Sequence, residues 1–158
     1  NTLFVTMFGL GKIPKIPGTF GSLATVTLLY FFFHILDIPS AIILIGLLII
    51  FVFSFSAVAA YIRNNDNKDP KEVVIDEFIG QSIPLCLYEV AHNAPKETAE
   101  ILKIYFIMFV LFRIFDISKP FPASYYEKNF KNSLGVIMDD VCAGLYVVAI
   151  LVLYMVFT

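Results

Sequence analysis

Two stretches of this chain carry no charged side chain, residues 40–60 (21 residues) and 141–158 (18 residues). Roughly 20 apolar residues in a helix are what about 30 Å of hydrocarbon requires. A bilayer offers no water to exposed backbone N–H and C=O groups, and a helix satisfies them internally, so both stretches read as membrane-crossing helices. Composition agrees: 59% of the 158 residues are hydrophobic and 15% charged, where a water-soluble domain carries about 25%. Mean hydropathy is +0.83. The length suits one domain, so residues 1–158 are read as a single membrane-embedded unit.

Three further blocks extend the pattern. Residues 19–36 are interrupted only by His34, and Pro39 separates them from the next block. Residues 101–115 hold Lys103 and Arg113 near their ends, where long stems reach the headgroups from lipid. Residues 73–90 carry Asp76 and Glu77 at the start and Pro84 in the middle, and either cross as a kinked helix or turn back. Charge bias arbitrates, because lysine and arginine accumulate in cytoplasmic loops. If residues 73–90 cross, the N-terminal side holds Lys12, Lys15, Arg63, Lys68, Lys71, Arg113, Lys119, Lys128 and Lys131, and the other only Lys96 and Lys103. The expected fold is therefore an all-α integral membrane protein. It is a polytopic bundle of about five helices, one kinked or re-entrant, with the N-terminus cytoplasmic and the C-terminus outside. A cleavable signal is not expected, since the first apolar block follows a Gly/Pro loop and lacks a small-residue cleavage site.

Several classes drop out. A net charge of −2 with no basic stripe excludes a nucleic-acid partner. Cys86 and Cys142 lie in apolar stretches without CxxC spacing, so both read as reduced small hydrophobes. His34 and His92 fall on the outer side as interfacial residues.

Four polar sets fall on the cytoplasmic side. The loop containing Lys12, Gly18, Thr19 and Ser22 runs into a helix, and such a loop can offer backbone N–H groups and a helix N-terminus to an anion. It can equally be a stiff lead-in with Thr19 or Ser22 as N-cap. Asp76 and Glu77 open the next set. As helix caps they would be favoured by the dipole, but adjacent carboxylates at the edge of an apolar helix need a cation to meet them. Arg113, Asp116 and Lys119 recur at i, i+3 and i+6, sharing one face if the helix continues to Pro120. Asp139 and Asp140 form a second carboxylate pair at a helix entrance. Asp76 and Asp140 are each followed four residues later by glycine, Gly80 and Gly144, which suggests two similarly built helix starts. The hard oxygens of Asp76, Glu77, Asp116, Asp139 and Asp140 suit Mg²⁺, with Arg113 and Lys119 left to hold an anion. Composition and spacing stop at metal-assisted phosphate chemistry.

The order of these sets resembles the phosphatidylglycerophosphatase A family of bacterial membrane phosphatases. The resemblance rests on Pro17-Gly18-Thr19-Phe20-Gly21-Ser22, Val74-Ile75-Asp76-Glu77-Phe78-Ile79-Gly80, Phe112-Arg113-Ile114-Phe115-Asp116 with Lys119-Pro120, and Met138-Asp139-Asp140-Val141-Cys142-Ala143-Gly144. It implies hydrolysis of phosphatidylglycerophosphate to phosphatidylglycerol and inorganic phosphate, Mg²⁺ as cofactor, and a bacterial inner membrane with the site on the cytoplasmic side. It implies catalytic roles for Asp76, Glu77, Asp116, Asp139 and Asp140, with Asp76, Glu77, Asp116 and Asp140 on the metal. It implies phosphate binding by Arg113, Lys119, Thr19, Ser22, Gly18 and Lys12. One departure is Ile16 before Pro17, where a smaller residue is expected. The rival class is a small ion or proton transporter built on the membrane-edge carboxylates; the apolar centres of the two secure spans weigh against it.

Overall fold

The computed structural model describes residues 1–65, 70–92 and 97–157, so Lys68, Asp69 and Lys96 lie outside the described residues. The described residues form seven α-helices and no strand: α1 Thr2–Val5, α2 Pro17–Tyr30, α3 Ser40–Arg63, α4 Ile75–Ala91, α5 Thr98–Ser118, α6 Ala123–Asn129 and α7 Ser133–Phe157. The expectation of about five helices is corrected to seven. Five are long, and α1 and α6 are too short for their apolar residues to show a helical period. Three segments are long and apolar enough to cross a membrane: Pro17–Ile35, Ser40–Arg63 and Ser133–Phe157. The acidic α4 spans 17 residues, about 25 Å of helix, and α5 carries Glu100, Lys103, Arg113 and Asp116 along its length.

Pro17 sits at the first position of α2, where its fixed φ suits a helix start and no N–H is missed. Neither Thr19 nor Ser22 is the N-cap. That position is Ile16, in the left-handed region at φ 47°, a rare conformation for a β-branched residue. Ser22 Oγ instead donates back to the Gly18 carbonyl at 3.0 Å. After Tyr30 the chain widens into a π-helical turn, Phe31–Ile35. Residues 75–91 form one continuous helix through Pro84, not a segment folded back on itself.

Helix α4 is the centre of the bundle and packs on α2, α3, α5 and α7. Its tightest crossing is with α7. A Cβ at Gly80 would run into the Asp140 carbonyl oxygen, and a Cβ at Gly144 into the Gly80 carbonyl oxygen. Only glycine lets the two backbones approach this closely, the usual reason for small residues at membrane helix crossings. Asp76 and Asp140 lie one turn before these glycines, hence on the same faces. The repeated Asp-x-x-x-Gly spacing thus has a physical cause: the crossing that needs the glycines also delivers both aspartates to one place.

One apolar cluster, with Leu85, Met108, Phe112 and Val147, fills the bundle beyond that crossing. A second, with Val5, Val58, Ile79 and Ile137, packs α1, α3, α4 and α7 together. Outward, Ile45, Leu48, Ile49 and Val52 of α3 are each 61–64% exposed, an apolar face suited to lipid. At the far end the part-buried His34 has a carboxylate neighbour. Its Nε2 lies 3.1 Å from Glu89 Oε1, which also accepts from the Tyr105 hydroxyl at 2.8 Å.

Candidate active site

The carboxylates sit where α4 and α7 cross. Asp76 occupies the first turn of α4, and its Oδ1 accepts the Glu77 N–H at 3.1 Å. Asp139 and Asp140 do not open their helix: α7 begins at Ser133, so the pair lies well past the first turn, where the helix dipole gives little support. One carboxylate oxygen from each of Asp76, Glu77 and Asp140 falls within 4.8 Å of the other two. Asp76 is 9% exposed and Asp140 3%. Glu77 Oε2 is buried with no hydrogen-bond partner among the described residues. Two unit charges about 4 Å apart repel by about 4 kcal/mol at an effective dielectric of about 20, so an ionised trio needs a cation beside it.

Cationic side chains close the site from α5 and the turn after it. Arg113 Nη1 pairs with Asp116 Oδ2 at 2.5 Å and donates to Ser22 Oγ at 3.3 Å. The start of α2 is pressed against this group, since a Cβ at Gly18 would collide with Glu77 Oε1 and lie 3.2 Å from Arg113 Nη1. Helix α5 does not continue to Pro120. It ends at Ser118, and Lys119 turns left-handed at φ 43°, leaving the face shared by Arg113 and Asp116. From there Lys119 Nζ reaches Asp139 Oδ2 at 2.6 Å and Glu127 Oε1 at 3.0 Å. Burial would lower the Lys119 ammonium, but hydrogen bonds and charge from Asp139 and then Glu127 outweigh it and hold it above the ordinary lysine value. It is a fixed cation.

These groups line a cleft of about 340 Å³ that contains Gly18, Asp76, Glu77, Arg113, Asp116, Lys119, Asp139 and Asp140. Three other residues singled out in the sequence lie apart from it. Ser22 is fully buried behind Arg113. Thr19 lies in a neighbouring groove between α2 and α5. Lys12 lines a separate cleft with Asn1, Tyr61 and Glu72. Two residues escaped the sequence reading. Glu127 comes from α6, which no periodicity announced. Gln81, fully buried one turn after Glu77, has both amide atoms without a hydrogen-bond partner among the described residues; its signal was an amide in an otherwise apolar run.

The family model described as phosphatidylglycerophosphatase A matches residues 3–155. The chain belongs to that family. Among its relatives, the Haemophilus influenzae protein named phosphatidylglycerophosphatase A is 32% identical over 148 residues, 94% of this chain and 84% of its own. The Escherichia coli protein of the same name is 30% identical over 155 residues, 94% and 80% of the two chains. A Bacteroides thetaiotaomicron protein named "Putative phosphatidylinositol-3-phosphatase" is 34% identical over 145 residues, 91% and 86%. No solved structure matches the chain significantly. In this phosphatidylglycerophosphatase A family member, all four resembling segments contribute to the cleft or directly support it: Gly18 and Ser22, Asp76 and Glu77, Arg113 with Asp116 and Lys119, and Asp139 with Asp140.

Proposed function

We propose that this protein hydrolyses the terminal phosphate of phosphatidylglycerophosphate, giving phosphatidylglycerol and inorganic phosphate, with Mg²⁺ bound and on the cytoplasmic face of a bacterial inner membrane. The carrying observation is one cleft that holds three mutually close carboxylates beside the Arg113 and Lys119 cations. The donor set fits the ion. Mg²⁺ binds hard oxygens, usually one or two carboxylates, with water and phosphate oxygens in its remaining positions; Asp76, Glu77 and Asp140 offer three candidate carboxylates for those places, and Glu77 Oε2 is buried without a hydrogen-bond partner among the described residues. When bound, the cation would polarise a phosphoryl oxygen and lower the pKa of a water.

The chain's own side chains do the rest. Arg113, oriented by Asp116 and Ser22, presents a planar guanidinium suited to paired phosphate oxygens. Lys119, fixed by Asp139 and Glu127, supplies a second positive charge to the same cleft. Both reduce the repulsion between a phosphomonoester dianion and the carboxylates. In the net reaction one water is consumed, its oxygen bonds to phosphorus, the ester P–O bond breaks, and the freed glycerol oxygen takes up a proton. The name of the Bacteroides relative makes substrate choice the informative test. Purified protein supplied with phosphatidylglycerophosphate or phosphatidylinositol 3-phosphate in matched vesicles is expected to release phosphate from the former at the higher kcat/KM. Preference for the latter, or release from neither, would overturn the assignment.

A further inference from the structure

An apolar groove of about 460 Å³ runs along the outside of the bundle between α2 and α5, lined by Thr19, Phe109, Val110, Arg113, Ile114 and Ile117. It shares Arg113 with the carboxylate cleft. The guanidinium faces Asp116 and Ser22 on the inner side, while Val110, Ile114 and Ile117, respectively 37%, 53% and 73% exposed, open the outer side. Gly18 lines the cleft and the adjacent Thr19 lines the groove, so the start of α2 bounds both spaces. The geometry points to this groove as the seat of the glyceride and first acyl segment of the lipid phosphate, which reaches the cleft sideways from the leaflet past Arg113.

The inference rests on the proposed hydrolase reading and deepens it. A phospholipid monoester joins a dianion to hydrocarbon within a few bonds, so its site must place an ionic pocket against an apolar one. Arg113 is where this molecule does so. The outward apolar face of α3 around Leu48 is comparably exposed, yet none of its residues borders the cleft. Because lipid tails are as apolar as leucine, contact with the groove adds little net attraction inside a bilayer. Its contribution is shape, fixing where the ester bond sits relative to the carboxylates, so an obstruction should act sterically.

Two measurements test it. Ile114→Trp, which fills the groove, is expected to raise KM for long-chain phosphatidylglycerophosphate about tenfold, about 1.4 kcal/mol, and to leave hydrolysis of the acyl-free head group, glycerophosphoglycerophosphate, near the parent rate. Leu48→Trp should change neither. An unchanged long-chain KM in Ile114→Trp overturns the inference, whereas a parent that hydrolyses neither substrate overturns the hydrolase reading instead. If Ile114→Trp loses both reactions, Ile117→Trp takes its place. The second measurement uses no turnover: p-benzoylphenylalanine at position 114 or 48, irradiated in phosphatidylcholine vesicles that carry some phosphatidylglycerophosphate. Adducts to phosphatidylglycerophosphate or its phosphatidylglycerol product should be enriched at position 114 over position 48. Equal labelling, or cross-linking of position 114 to a second copy of the chain, would overturn the assignment.

Discussion

Asp76 and Asp140 differ from Asp116 and Asp139 in what they touch, and that difference sorts their expected effects. The first two, with Glu77, have oxygens gathered within 4.8 Å. Asp116 and Asp139 each hold a cation, Arg113 and Lys119 respectively. Asp76→Asn and Asp140→Asn should therefore lower kcat by at least about 100-fold, the size seen when a main electrostatic contributor is lost. Asp116→Asn and Asp139→Asn should chiefly raise KM, by loosening the cation proposed to bind phosphate. Arg113→Lys should behave as a real loss, since an ammonium cannot reproduce a bidentate fork. Steady-state kinetics on each purified variant separates these patterns. At this scale the sequence was legible in residue type and in the gathering of these groups at one place, but not in their pairing. The shared face of Arg113, Asp116 and Lys119 was drawn on a helix reaching Pro120, and the left-handed turn at Lys119 exchanged that partnership for one with Asp139 and Glu127.

Among the elements, the α4 and α7 crossing is the decisive contact. Gly80→Ala and Gly144→Ala force a methyl against the facing backbone, and overpacking of this kind typically costs about 1–3 kcal/mol. Both should lower the thermal midpoint in detergent and reduce turnover together, because the crossing also sets the distance between Asp76 and Asp140. Gly46→Ala is the contrast. Nothing lies within 4 Å of its new methyl, and alanine in a helix interior is favoured over glycine by about 1 kcal/mol, so its midpoint should hold or rise. A fall for Gly46→Ala equal to that for Gly80→Ala would show that the crossing is not special. Helices α2, α3 and the body of α7 were legible because long apolar runs free of Asp, Glu, Lys and Arg have few other solutions than a membrane-length helix. The start of α7 was not: its first turns, from Ser133 to Asp140, are mixed in polarity, and the sequence reading placed the helix entrance at the aspartate pair. Ile16, flagged as unusual before Pro17, proves to be the left-handed residue that turns the chain into α2.

Across the whole molecule, polar groups gather at both ends of the bundle. The cleft holds one end, and Glu89 with His34 and Tyr105 the other. Leu85, Met108, Phe112 and Val147, fully or almost fully buried, fill the space between them, which argues against a continuous ion path. From the basic asymmetry of the sequence we propose that the cleft end faces the cytoplasm. A cysteine in place of Lys128 should accordingly react with an impermeant thiol reagent only after cells are opened, and one in place of Lys103 should react in intact cells. The reverse pattern would invert the orientation. The central claim is that the carboxylate trio binds a metal that phosphate hydrolysis requires. It is tested most directly by phosphate release from phosphatidylglycerophosphate as Mg²⁺ is removed with EDTA and restored, in the parent and in Asp140→Asn. The parent should fall to background and recover, with Asp140→Asn at least about 100-fold slower at the same Mg²⁺. Full turnover by metal-free protein in EDTA, or Asp140→Asn within about threefold of the parent against that ~100-fold expectation, would contradict the account.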